Sequence, residues 1–164
     1  MDQLKPIFKV ATDDINLKAW EMMIMEEYSF PGGCKYTGQI KDGKPHGKGT
    51  LTFPNGMIYA GDFREGKPGG YGILNTPGGI KYEGRWKDGY LNGHAACSFS
   101  NGDYYEGQLK NRMPDGEGIF RWASGKTYDG NWKNGIYHGR GTLTFPDGTK
   151  LVGEFVDGEP VDIG

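Results

Sequence analysis

A tyrosine returns at Tyr36, Tyr59, Tyr82, Tyr105 and Tyr128, each 23 residues after the last. A strict period of this length commits the chain to a row of like units, because one unit cannot bury its apolar face alone and must stack on its neighbours. Two residues after each tyrosine stands a glycine (Gly38, Gly61, Gly84, Gly107, Gly130), and two further on a large apolar residue (Ile40, Phe63, Trp86, Leu109, Trp132). A sixth copy starts at Leu151, with Gly153 and Phe155 in phase. Upstream, EEYSFPGG at 26–33 matches GTLTFPNG at 49–56, so five full repeats are flanked by two halves.

YTGQI at 36–40 and GTLTF at 49–53 each alternate large or glycyl positions with polar ones, the period of a strand with one buried face. Each repeat therefore reads as a β-hairpin, with DGKPHGK (42–48) expected as the connection between its strands and PNG, SNG, ASG or PDG joining one repeat to the next. Short connections pair neighbouring strands antiparallel in one meander. About twelve strands at a spacing of roughly 4.8 Å predict a solenoid-like rod about 50–60 Å long. With 30 glycines and 35% hydrophobic residues, the chain is poor material for one thick core, so its core is expected to form unit by unit. The glycines two residues after each tyrosine, and those thirteen after in four of the five repeats (Gly49, Gly72, Gly118 and Gly141), share the aromatic face. A missing side chain there lets a neighbouring ring lie flat on the backbone.

The segments YEGRWKDG (82–89), YDGNWKNGIYHGRGTLTFPDG (128–148) and YTGQIKDGKPHGKGTLTFPNG (36–56) resemble MORN repeats, and the resemblance extends over roughly residues 26–158. It implies a mainly β fold, a single-layer twisted antiparallel meander of hairpins. It also implies no catalysis within the repeats and roles in tethering proteins to membranes, cytoskeleton or axonemes. A groove floored by Tyr36, Phe63, Tyr82, Trp86, Tyr105, Tyr128 and Trp132 is the expected partner site, by resemblance to how the family engages partners. Three departures mark candidate specialised contacts: GHAACSF in the third repeat, Arg112 for the turn glycine of the fourth, and Thr76 for the phenylalanine of the second.

The organisation expected is an N-terminal extension (1–25), an array over 26–158 and an acidic tail (159–164). The array divides into a half-repeat 26–35, full repeats 36–58, 59–81, 82–104, 105–127 and 128–150, and a half-repeat 151–158. A short amphipathic helix is predicted over about 12–26, N-capped by Thr12 with two acids in its first turn. Its apolar residues, Ile15, Ala19, Trp20, Met22, Met23 and Met25 among them, either cap the first hairpins or enter another protein's groove. The last strand, Leu151 to Val156, is expected to lack an intrachain partner on its outer edge and so to offer a route to a homodimer or another protein, unless Pro160 and the terminal acids blunt that edge.

The net charge is −2 and uneven: residues 1–27 hold three basic against six acidic side chains, 28–150 sixteen against eleven, and 151–164 none against four. Five cations, Lys41, Arg64, Lys87, Lys110 and Lys133, recur five residues after each tyrosine, opposite the aromatic face. Such a row could bind acidic membrane lipid or steer an acidic protein, or simply be solvated beside Asp42, Glu65 and Asp88. Acidic ends and a pI of 5.9 are the wrong field for nucleic acid.

No enzyme, metal or cofactor signature stands out. His46, His94 and His138 are spread along the rod, and Cys34 and Cys97 lie about five strands apart, beyond the roughly 7 Å Cα reach of a disulfide. The Gly-x-Gly sequences lack the lysine and helix of a phosphate loop. Without an apolar run of the roughly 18 residues that span a bilayer, a signal peptide or a lipidation motif, the chain is expected to be cytoplasmic, beside the cytoskeleton, a cilium or a membrane face.

Overall fold

The computed structural model describes residues 26–161, so the helix expected over about 12–26 falls outside it, apart from Glu26, which opens the first strand. Thirteen strands follow: β1 Glu26–Ser29, β2 Lys35–Lys41, β3 Lys44–Thr52, β4 Ile58–Arg64, β5 Lys67–Asn75, β6 Lys81–Lys87, β7 Tyr90–Ser98, β8 Tyr104–Lys110, β9 Met113–Arg121, β10 Thr127–Lys133, β11 Ile136–Thr144, β12 Lys150–Val156 and β13 Glu159–Pro160. They form one antiparallel sheet in chain order, the meander expected from the repeat.

The connection inside each hairpin is shorter than expected. DGKPHGK is a two-residue turn, Asp42–Gly43, and everything from Lys44 onward is strand. Both turn residues have positive φ (51° and 72°), the type I′ geometry whose twist matches that of the flanking strands. Glu65–Gly66, Asp88–Gly89, Asn134–Gly135 and Asp157–Gly158 repeat it, and Asn111–Arg112 copies it without glycine. The slack implied by the long Gly/Pro stretch is taken up by a bulge, a register shift between Gly38 and Ile40 that recurs in each hairpin. The bulged side chain folds back on the partner strand. Gln39 Oε1 accepts the Lys48 N–H at 3.1 Å, and Asp62 Oδ2 accepts that of Tyr71 at 2.9 Å.

A row of glycines in register crosses the sheet from β2 to β12: Gly38, Gly49, Gly61, Gly72, Gly84, then Ala95, then Gly107, Gly118, Gly130, Gly141 and Gly153. Across it lie the tyrosine rings. A Cβ added at Gly118 would stand 2.7 Å from Cε2 and Cζ of Tyr105, and one at Gly49 would stand 2.5 Å from the same atoms of Tyr36. The row thus clears space for an aromatic ring laid on bare backbone, which gives a single-layer sheet an interior. Tyr36, Tyr59, Tyr105 and Tyr128 are at most 1% exposed. Their hydroxyls are satisfied locally, donating to the carbonyls of Gln39, Asp62, Gln108 and Asn131 at 2.7–3.1 Å. Between successive tyrosines wedges the ring four residues further on: Phe63 meets Tyr36 and Tyr59 edge-on at 4.9 and 5.2 Å, and Phe155 closes the series against Tyr128 at 5.3 Å.

The end of the sheet departs from expectation. β12 has a short partner, with Phe155 opposite Pro160 and Val156 opposite Glu159, and the Val161 N–H donates to the Glu154 carbonyl at 2.9 Å. Glu159, Pro160 and Val161 turn back on the terminal strand and cover part of its edge.

These contacts rank the glycines. Gly118→Ala pushes a methyl into the Tyr105 ring and should lower unfolding free energy by about 1–3 kcal/mol, the usual cost of overpacking. Gly153→Ala, on the same row but with open space around it, should be neutral or raise stability by roughly 0.5–1 kcal/mol, since glycine weakens a strand. Urea denaturation of the two variants checks the contrast.

Candidate binding surfaces

The residues expected to floor a groove are mostly interior. Tyr36, Phe63, Trp86, Tyr105, Tyr128 and Trp132 are 0–7% exposed, and only Tyr82 is half-buried. They make up the core, so the surface that a partner meets above them belongs to their half-buried neighbours, among them Leu51, Phe53, Met57, Phe120, Trp122 and Tyr137. Trp86 and Trp132 also spend their indole N–H groups inward, on the carbonyls of Gly72 and Gly118 at 3.0 and 2.9 Å.

The core is divided at the third repeat. One cluster holds Tyr28, Tyr36, Tyr59, Phe63, Leu74 and Trp86; the other runs from Ala95 and Cys97 through Tyr105 and Tyr128 to Phe155; Tyr82 and Leu91 pack against both. Two substitutions coincide there. Ala95 fills the place of the glycine over which the Tyr82 ring would lie, and Leu109 stands where other repeats carry an aromatic wedge or Ile40. Among the described residues Tyr82 accordingly has no ring partner, and its hydroxyl makes no hydrogen bond to the Arg85 carbonyl. Alongside this joint opens a pocket of about 360 Å³ between Phe53, Met57, Leu74, Trp86, Tyr90 and Arg112.

All five cations of the expected row, Lys41, Arg64, Lys87, Lys110 and Lys133, are exposed at the turn ends of β2, β4, β6, β8 and β10, and none pairs with a described carboxylate. Ion pairs form elsewhere on that face: Lys48 with Asp62 (2.6 Å), Lys81 with Glu83 (2.6 Å) and Arg140 with Glu154 (3.1 Å). Beside the row, three residues on from a cation, Tyr90, Met113 and Ile136 are 71%, 43% and 46% exposed. This apolar accompaniment was not anticipated, because strand periodicity says little about positions flanking a turn. The N-terminal candidates Ile15, Ala19, Trp20, Met22, Met23 and Met25 lie outside the described residues.

Burial pushes the Cys97 thiol up to about 11 and the Tyr59 and Tyr128 hydroxyls up to about 12, while the Lys48 ammonium and the Tyr71 N–H hold the Asp62 carboxyl below its ordinary value. Each shift moves its group away from neutrality, opposite to what a nucleophile, general acid or base needs. Cys34 and Cys97 are free thiols, with Cys97 buried where other repeats carry leucine. No three His, Cys, Asp or Glu side chains among the described residues are grouped to hold a metal ion, and no described helix is long and apolar enough to cross a membrane.

The tyrosine hydroxyls offer a test of the joint. Tyr105→Phe removes the bond to Gln108 and should cost about 0.5–1.5 kcal/mol, whereas Tyr82→Phe should cost close to nothing because its hydroxyl is not engaged. Equilibrium unfolding of both variants measures the difference.

No curated protein matches the chain. Solved structures similar to it include the SAS-4 (dCPAP) TCP domain of Drosophila melanogaster, in complex with a proline-rich motif of Ana2 (dSTIL). It is 16% identical with a TM-score of 0.36, over 89% of this chain and 97% of that one. The TCP10 domain of Danio rerio CPAP is 15% identical with a TM-score of 0.37, over 79% of this chain and 66% of that one. The MORN repeat family model matches five times, at residues 36–58, 59–79, 82–104, 105–127 and 128–150. These segments take up more than half of the sequence and coincide with the ring-over-glycine hairpins, and the chain belongs to the MORN-repeat family.

Proposed function

We propose that this ribbon is a non-catalytic scaffold or adaptor that receives a helix or extended segment of a protein partner on its aromatic face. The observation that carries the reading is that the described residues form a sheet of one layer. A second layer would cover the side chains above the tyrosines, and without it Phe53, Met57, Phe120 and Trp122 are packed on the core yet reach solvent. The site is the groove over Tyr36, Phe63, Tyr82, Trp86, Tyr105, Tyr128 and Trp132, with those rings as its rigid support. A repeat array suits a subunit of a cytoskeletal, axonemal or other large assembly in the cytoplasm, the setting that family membership suggests. The N-terminal segment either caps the first hairpins or makes a contact of its own. A second copy could pair along the part of β12 that β13 leaves uncovered, where Val152 is 71% exposed.

A second reading, a peripheral tether to acidic phospholipid, is favoured by the exposed row from Lys41 to Lys133 and by Tyr90, Met113 and Ile136 beside it. Each cation near an acidic membrane contributes about 1 kcal/mol, an attraction that salt weakens.

Affinity capture from cell extract separates the two. The full chain should retain the same proteins at low and high salt, a variant with Glu at the five cationic positions should still retain them, and a folded Met57→Glu variant should lose them. Capture unaffected by Met57→Glu, combined with flotation on phosphatidylserine vesicles that the five-Glu variant abolishes, would replace the adaptor reading with the tether.

A further inference from the structure

The turn between β8 and β9 is the one described hairpin turn without glycine at its second position. Arg112 sits there at φ +64°, a conformation that residues with side chains disfavour. Elsewhere the glycine N–H at this position ties the hairpin to its predecessor: Gly66 to the Pro45 carbonyl, Gly89 to Pro68, Gly135 to Pro114 and Gly158 to Tyr137, at 2.8–3.0 Å. Arg112 makes no such bond to Leu91. A locally unfavourable residue has thus been accepted where the repeat's own preference is cheap, which turns attention to what its side chain does.

The guanidinium is exposed and pairs with no described carboxylate. Asp88 borders the same space without coming within ion-pair distance. Arg112 lines both the pocket of about 360 Å³ on the apolar side, with Phe53, Met57 and Trp86, and a neighbouring one of about 520 Å³ beside Tyr90, Leu109 and Lys110. Its positive charge also acts on the Tyr82 hydroxyl, the one tyrosine of the repeat series that Ala95 leaves without an internal acceptor. The guanidinium therefore stands at the edge of an apolar pocket, with the Tyr82 hydroxyl, released by the break in the glycine row, within reach of its charge. Within the apolar pocket Lys67 and Arg112 face a single acid, Asp88. That balance suits one negative charge, whereas a phosphate dianion would also meet Asp88.

We infer that Arg112 recognises the carboxylate of an Asp or Glu carried by a protein segment whose apolar side chain fills the pocket at Met57 and Trp86. The inference rests on the adaptor reading and gives its partner a chemistry: a large apolar residue with an acid beside it. A guanidinium donating to a carboxylate makes charge-assisted hydrogen bonds, stronger than neutral ones and directional.

A random peptide library displayed on phage and selected on the full chain provides the probe, with the selected peptides then synthesised. Arg112→Gly restores the turn residue of the other repeats and should fold at least as well, so lost binding reports recognition. The selected peptides should share an Asp or Glu beside an aromatic or large aliphatic residue. Arg112→Gly should weaken them about tenfold or more, and changing the peptide's acid to its amide should cost a similar factor in the parent protein and little in the variant. Peptides whose binding is lost on Met57→Glu but which show no acidic preference, or bind Arg112→Gly equally, would overturn the inference and leave the adaptor reading standing. If no selected peptide depends on Met57, both fall.

Discussion

A tyrosine ring laid across a glycine on the neighbouring strand is the contact on which the rest of this fold depends. A sheet of one layer has no second sheet or helix to bury its apolar face against, and an open β-meander would ordinarily be marginal in water. Here backbone takes the part of the missing layer. With no Cβ at Gly49, Gly72, Gly118 or Gly141, the ring of the preceding tyrosine reaches the sheet itself, its hydroxyl finds a main-chain carbonyl three residues on, and the next aromatic packs edge-on above it. The arrangement buries no charged side chain among those described, and the polar atoms its rings carry inward, tyrosine hydroxyls and indole N–H groups, have their desolvation offset by main-chain carbonyls.

Because each unit touches mainly the next, a change in one unit stays local. Ala95 shows how far that locality goes. One added methyl group moves Tyr82 off the backbone, removes a hydrogen bond found in the four other repeats, and leaves two clusters of buried side chains joined through Tyr82 and Leu91. Leu109, one strand away, removes the ring that would have bridged the gap. The junction of the third and fourth repeats is therefore where the ribbon is least tied together, and also where its surface is least like its neighbours: Tyr90 exposed, Arg112 in a glycine's place, and two neighbouring pockets that both residues line. An array whose repeats are otherwise alike gains a distinguishable position by breaking its own rule.

Most of this architecture is legible in the spacing of the tyrosines. The period places one hairpin per repeat, alternation separates aromatic from polar face, and glycines within strands signal close approach of a ring. Spacing is blind to how the slack of a Gly/Pro stretch is distributed, which is why DGKPHGK looks like a long loop when it is a two-residue turn followed by a bulged strand. It also marks residues as inward without saying whether inward means a groove or an interior. Tyr36 and Tyr128 proved interior because the glycine row lets them sink to the backbone, and that depends on cross-strand register, which a single repeat does not reveal. Pro160 and the terminal acids were legible as blunting the β12 edge, but that they pair with it as a strand was not, because two residues are too few to show periodicity. Arg112 and Ala95 were visible as departures from the repeat, but their shared location became apparent only once β7 and β8 were seen side by side.

The central claim is that glycine at the cross-strand position is what admits the tyrosine ring. It is tested most directly by a crystal structure of the Ala95→Gly variant. If the account holds, the Tyr82 ring moves over residue 95, its hydroxyl donates to the Arg85 carbonyl as its counterparts do in the other repeats, and the two clusters close into one. If Tyr82 stays half-exposed with its hydroxyl free in that variant, glycine is incidental to the core and something other than the bare backbone row seats the rings.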